Sequence, residues 1–182
     1  MLRLASALLE SPASLSFICS IVSSHREILQ EEYECLKLLA TRIRQIDKPK
    51  AEIWQIATSV LQKMTQVTQF RWSTPKGPNK FCIDGQTWRN GHEKVCVHPN
   101  TSGFKSTICI NKYIFQAVAK AAKPINKAPW NVCLKLRWQF LSASTFCHEV
   151  IHAIQQAVRV SLIMVEPFWE DDRIAELGQA WE

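Results

Sequence analysis

The sequence has no long hydrophobic run, no internal repeat and no low-complexity segment. The longest apolar stretch near the start, residues 13–22, is too short and too rich in serine to span a bilayer. Glu10 and Pro12 interrupt the apolar residues before it, which makes residues 1–24 a poor secretory signal. We therefore expect neither a membrane protein nor a disordered chain.

The sequence also lacks a cysteine framework. Its seven cysteines are odd in number and irregularly spaced, which favours reduced thiols over disulfides. We accordingly expect the cytosol or the nucleus, with secretion less favoured, and the single sequon at Asn100 changes this little. A chain of 182 residues with 47% hydrophobic residues can bury a substantial core.

Acidic residues are scarce over the first 160 residues, which carry a net charge of +11, whereas the residues after 160 carry −5. Basic residues alternate with Trp and Phe at Arg71-Trp72, within residues 112–127 and at 135–137, a composition that would suit a nucleic-acid surface. No compact basic motif accompanies them. A solvated basic face is the favoured interpretation, and we do not expect nucleic acid as a partner.

One segment near the C-terminus indicates a specific chemistry. His148, Glu149 and His152 form an HExxH pattern, the zinc-binding signature of metallopeptidases. Residues four apart on a helix lie one above the other, so the two imidazoles can converge on one ion. Glu149 lies about 100° round the helix from His148, where it can reach a water molecule and act as general base.

The residues around this pattern support a partly buried helix, which we expect to span about residues 134–158. An apolar stripe recurs at spacings of three and four, and a polar stripe contains the two histidines together with Gln155 and Arg159. Cys147 precedes His148 on the apolar side, so a small core residue is favoured over a nucleophile. The apolar stripe consists of Val150, Ile151, Ile154, Ala157 and Val158.

A catalytic zinc needs a third protein ligand. No histidine follows His152, so this ligand is a carboxylate or comes from upstream. Glu176 is the best candidate, because Asp171 and Asp172 can cap a helix before it and Ala180 leaves room one turn later. The other downstream carboxylates, for which a solvated acidic turn is favoured, are Glu166, Glu170, Asp171, Asp172 and Glu182.

With twenty-three residues between HExxH and Glu176, the chain resembles the gluzincins, zincin-like metallopeptidases whose third ligand is a glutamate on a second helix. The gap resembles that of the peptidyl-dipeptidase branch, and residues 166–182 also look like the C-terminal part of zincin-like proteins from fungi. The resemblance covers about residues 140–182. It implies that His148, His152 and Glu176 bind Zn²⁺, that Glu149 activates water, and that the substrate is a peptide or protein.

Two alternatives stay open. The six residues after Glu176 contain no Tyr or His that could steady an oxyanion, so a zinc-binding pseudoenzyme or interaction module must be kept beside the peptidase. A second metal cluster, formed by His92, Cys96 and His98 with Cys82, is chemically apt. Its spacing is not that of a common zinc knuckle, so a structural role for these residues is favoured.

The predicted fold is an α+β zincin-like domain with a small mixed or antiparallel sheet. Residues 1–72 form an N-terminal helical region and 73–182 the metal-binding domain, or the two are continuous. A capping box at Ser24 predicts a helix to residue 46, which pairs with a second helix over 53–67. Short strands follow at 81–84, 94–98 and 105–110, then a helix at 113–122. Residues 107–111 are the expected edge strand beside the cleft. The sequence leaves the oligomeric state open.

Overall fold

The computed structural model describes residues 2–23, 26–33, 36–43, 48–74, 85–99, 101–122, 129–158 and 167–169. Over these residues the fold is α+β, with five helices and two small mixed sheets, so the predicted class is confirmed. The helices are α1 (Leu2–Leu9), α2 (Pro12–Ser23), α3 (Lys50–Val67), α4 (Lys112–Ala122) and α5 (Pro129–Val158). The strands are β1 (Arg26–Tyr33), β2 (Leu36–Ile43), β3 (Thr68–Ser73), β4 (Gly85–Val95), β5 (Gly103–Asn111) and β6 (Pro167–Trp169).

The sheet that supports α5 has the strand order β3-β5-β4. Strand β5 runs parallel to β3 and antiparallel to β4, and the β4 register shifts between Arg89 and Lys94. Strand β5 is therefore central, and its residues from Ser106 to Asn111 are all buried. The predicted edge strand at residues 107–111 is wrong: its continuous burial reflects neighbours on both sides, and β4 is an edge strand instead.

A single apolar core joins the N-terminal helices to α5. Helices α1 and α2 contribute Leu9, Phe17, Ile18 and Ile21, while Ala57, Val60 and Met64 come from α3, Ile108 from β5, and Ile151 and Ile154 from α5. Helix α2 is buried over most of its length because its apolar residues contact α3 and α5. The N-terminal segment is thus part of the same core as the HExxH helix.

The predicted helix over residues 24–46 is wrong where the structure describes it. Strands β1 and β2 pair antiparallel there, with Glu27 opposite Arg42 and Glu32 opposite Lys37 in the register, and β2 also pairs in parallel with β6. The helix was predicted from the spacing of apolar residues that are close together in the sequence. Strands β1 and β2 are only two residues apart in sequence, and the pairing of β2 with β6 joins distant segments. The spacing of apolar residues reports neither pairing.

The other predicted elements were found with shifted boundaries or additions. Helix α3 confirms the second predicted helix, and α4 and β5 lie close to their expected positions. The strand expected at 94–98 is the end of the longer β4, and the one expected at 81–84 lies outside the described residues. Strand β3, which follows α3 directly, and helices α1 and α2 were not predicted as separate elements.

In the described part of the chain, no single helix is both long and apolar enough to cross a membrane. Residues 2–9 and 12–22 meet that length and composition criterion only when taken together, and the two helices are bent by 63°.

Candidate metal centre on helix α5

Helix α5 begins earlier than predicted, at Pro129 rather than at residue 134, and ends at Val158 as expected. Proline suits the first helical position because the missing N–H would have no partner there. The predicted apolar stripe is confirmed, since Val150, Ile151, Ile154, Ala157 and Val158 are all buried. Gln155, placed with the histidines on the polar face by the sequence, is instead buried.

His148 and His152 converge as the spacing predicts. Their Nε2 atoms lie 3.2 Å apart, and the ring centroids are 4.9 Å apart with an interplanar angle of 62°. Both residues are partly exposed, so solvent reaches this face of the helix. Two nitrogens that bind one tetrahedral zinc at 2.0–2.1 Å are separated by roughly 3.3–3.4 Å. The observed separation therefore fits two of the ligand positions of such an ion.

Glu149 is turned away from solvent, onto strand β4, and is 5% exposed. The Thr87 hydroxyl lies 2.6 Å from Glu149 Oε2 and 3.0 Å from the Glu149 carbonyl oxygen, and it donates to these acceptors. The general-base candidate is thus held by a strand that precedes it by about sixty residues.

Two contacts with β5 fix how α5 lies on the sheet. A Cβ atom at Gly103 would lie 2.2 Å from the backbone of Gln156 and Ala157, so the helix approaches the strand as closely as a glycine permits. Nearby, the Ser106 hydroxyl donates to Gln156 Oε1 over 2.9 Å. These contacts lie about two turns along α5 from Glu149, which the same helix places over β4.

Cys147 is a core residue, as predicted. Its side chain is fully buried, and the thiol donates to the Ala5 carbonyl oxygen over 3.4 Å. Burial raises the pKa of the Cys147 thiol from 9.0 to about 12, because the thiolate would lose its hydration. The thiol is therefore neutral at physiological pH and is no nucleophile.

The predicted third ligand cannot be placed among the described residues. Glu176 lies outside them, as do the alternative carboxylates Glu166, Glu170, Asp171, Asp172 and Glu182. Within the described ranges, no group of three His, Cys, Asp or Glu side chains is arranged to hold a metal ion. The described part of the centre is therefore the histidine pair with Glu149 beside it.

The side chains of His92, Cys96 and His98 make other contacts. His92 Nδ1 lies 3.1 Å from Arg89 Nη2, the Cys96 thiol donates to the His98 carbonyl oxygen, and His98 Nδ1 lies 3.0 Å from the Pro99 carbonyl oxygen. Cys82, which was to complete the set, lies outside the described residues.

A cavity of about 280 Å³ lies between α1, α3, the sheet and α5. On α5 it is lined by Phe146, Val150 and Ala153, which are on roughly the opposite side of the helix from the two histidines. The cavity is mainly apolar. It is therefore separate from the candidate metal centre and belongs to the packing between α5 and the N-terminal helices.

Sequence reasoning missed Thr87 and Gly85, which contact Glu149 from β4. No local pattern distinguishes them, because a threonine and a glycine two residues apart are common in strands. Only the packing of α5 on β4 identifies them. No protein-family model, no curated protein and no solved structure matches the chain.

Proposed function

We propose that the protein is a zinc-dependent peptide hydrolase of the zincin-like type, with the HExxH helix α5 at its active site. The observation that carries the proposal is the 3.2 Å separation of the His148 and His152 Nε2 atoms. A hydrogen bond between the rings would account for that distance alone. The acidic residue between the two histidines, on the adjoining face, favours a hydrolytic metal site instead.

The residues have distinct roles in this proposal. His148 and His152 would hold the zinc, and Glu176 would complete the ligand set. When bound, zinc supplies Lewis acidity that polarises a peptide carbonyl and allows water to react near neutral pH. Glu149 accepts the proton of the attacking water and then transfers it to the leaving amine.

Strand β4 supports an extended peptide as the substrate. It pairs with β5 on one side, and no described strand pairs with its other side. An exposed strand edge presents backbone donors and acceptors to which a peptide can add as a further strand. Because Glu149 contacts Thr87 near the start of β4, a peptide bound along this part of the edge would lie close to the general base.

A second candidate function is a zinc-binding module without hydrolytic activity. The burial of Glu149 favours it, since a carboxylate that is 5% exposed and bonded to a threonine also suits a purely structural contact between helix and strand. In that case the ion stabilises the fold or a docking surface. The two functions share the zinc site and differ in whether Glu149 turns substrate over.

Glu149→Gln separates the two candidates, because it keeps the shape of the side chain but removes the base. For a hydrolase, cleavage in a peptide library should fall by about 10²-fold or more while zinc content stays at one per chain. Glu10→Gln, which changes an exposed carboxylate between α1 and α2, is the matched control and should leave cleavage unchanged. Equal turnover by Glu149→Gln would exclude the mechanism, and zinc binding without cleavage by the natural chain would favour the second candidate.

The thiols support a reducing compartment. All five cysteines in the described ranges are free, and Cys96 and Cys133 are exposed. We therefore infer that the protein works in the cytosol or nucleus, where such thiols persist.

A further inference from the structure

Two residues of strand β4, Gly85 and Thr87, pack closely against the side chain of Glu149. Gly85 and Thr87 are two apart and so lie on the same face of the strand, the face on which α5 packs. Each of them contacts a different part of the glutamate. One face of β4 therefore supplies both contacts to the Glu149 side chain.

Thr87 restrains one carboxylate oxygen. Its hydroxyl has a single proton and lies nearer to Glu149 Oε2, at 2.6 Å, than to the Glu149 carbonyl oxygen, at 3.0 Å. Valine has nearly the same shape but cannot donate. Serine keeps the hydroxyl and loses only a methyl group.

Gly85 leaves the space in which the rest of the carboxylate lies. A Cβ atom at this position would be 2.7 Å from Glu149 Cγ and 2.8 Å from Glu149 Oε1. Such distances are too short for non-bonded atoms, so even alanine would force the glutamate to move. Strand β4 therefore holds Oε2 by a hydrogen bond and accommodates Oε1 in the gap at Gly85.

We propose that Thr87 and Gly85 are positioning residues for the general base Glu149, and that they preorganise its carboxylate for proton transfer. The proposal rests on the proposed hydrolytic function. A flexible glutamate samples many rotamers, whereas one that is anchored at Oε2 and packed against Gly85 keeps its carboxylate in one position. Thr87 lies on β4, the edge strand with which the substrate would pair. The same strand would therefore position both the substrate and the general base.

The first experiment compares the kinetics of Thr87→Val, Thr87→Ser and Gly85→Ala with the natural chain in the peptidase assay. Thr87→Val and Gly85→Ala should each lower kcat about 10–100-fold, with KM changed less than about threefold and with zinc content unchanged. Thr87→Ser should restore kcat to within about threefold. Thr65→Val, which removes an exposed hydroxyl on α3 away from β4, is the control and should retain kcat.

A double variant tests whether Thr87 acts through Glu149. Thr87→Val added to Glu149→Gln should lower the remaining turnover by less than about twofold, because the base is already absent. An equal loss in both backgrounds would overturn the proposal, as would a Thr87→Val enzyme with unchanged kcat.

A readout that does not need activity comes from urea unfolding. Thr87→Val should reduce the folding equilibrium constant about 5–10-fold in the natural chain and less than about twofold in the Glu149→Ala chain, because the lost hydrogen bond is then already missing. Coupling without any peptidase activity would show that the contact is structural and that the hydrolytic function is wrong. If zinc-loaded Thr87→Val is as active as the natural zinc-loaded chain, the hydrolytic function is retained and only the positioning role is disproved.

Discussion

The Nε2 atoms of His148 and His152 lie 3.2 Å apart across one turn of α5, on a partly exposed face of the helix. Such a pair binds a metal only if a third ligand joins it, and a bound metal stabilises the folded chain because the unfolded chain lacks the preformed site.

Zinc should raise the unfolding temperature of the natural chain. At about 100-fold excess over Kd the gain is about 2.7 kcal/mol, which corresponds to a shift of roughly 5–10 °C for a domain of this size. His148→Ala and His152→Ala should abolish the shift, as seen by scanning calorimetry with and without chelator. His92→Ala and His98→Ala are matched controls that should keep it, and a shift preserved in the double variant of His148 and His152 would disprove the site.

The identity of the third ligand is tested by alanine substitutions after residue 160. If Glu176 binds the ion, Glu176→Ala should weaken zinc affinity about 10–100-fold or more. Alanine at Glu170, Asp171 or Asp172 should cost little beyond a capping effect of about 1 kcal/mol in stability. Competitive titration with a chromogenic chelator measures these affinities. A loss confined to Asp171 or Asp172 would assign the ligand to an aspartate instead.

Gly103→Ala should be strongly destabilising. Its Cβ would lie 2.2 Å from backbone atoms of α5, which cannot move without displacing the helix from β5. We expect a loss of about 3 kcal/mol or more in the free energy of unfolding, measured by urea denaturation. Gly91→Ala is the comparison: its φ of 75° makes alanine unfavourable by about 1 kcal/mol, but no atom obstructs the side chain. A smaller loss at 103 than at 91 would contradict the packing of α5 on the sheet.

Thr68→Val should stabilise the protein. The Thr68 hydroxyl oxygen is buried beside the apolar cavity and has no hydrogen-bond partner among the residues that the structure describes. Valine has the same shape and removes the unsatisfied group, so the free energy of unfolding should rise by about 1–2 kcal/mol. Thr65→Val, which replaces an exposed hydroxyl on α3, should change stability by less than about 0.5 kcal/mol. Destabilisation by Thr68→Val would indicate that the hydroxyl has a bound partner.

Cys147 should resist alkylation in the folded protein. With its pKa raised to about 12 by burial, only about one thiol in ten thousand is a thiolate at pH 8. Iodoacetamide should therefore modify the exposed Cys96 and Cys133 and reach Cys147 only in denaturant, as read by peptide mass spectrometry. Equal labelling of Cys147 and Cys133 under native conditions would contradict its burial.

The same shift has a consequence for stability at alkaline pH. The folded chain keeps the Cys147 proton to higher pH than the unfolded chain, in which the ordinary value of 9.0 applies. The contribution of this group to the free energy of unfolding is therefore fully present below pH 9 and declines as the pH rises from 9 towards 12. Cys147→Ala should reduce this decline.

The sequence by itself determined the features that depend on residues close together in the chain. The α5 helix, its buried stripe and the convergence of His148 with His152 all follow from spacings of three and four, because helix geometry relates such residues directly. Cys147 was assigned to the core by the same argument. Helices α3 and α4 were found in the same way, with boundaries within a few residues.

Tertiary structure alone decided the features that join distant segments. Residues 26–43 have helical spacing yet form strands, because β1 and β2 pair with each other and β2 also pairs with β6 from the far end of the chain. Strand β5 is central and not an edge because β3 and β4 flank it. The contact of Thr87 and Gly85 with Glu149 requires α5 to be seated on β4, and that seating depends on the close approach at Gly103. Such contacts come from packing between elements, which no local pattern of residues encodes.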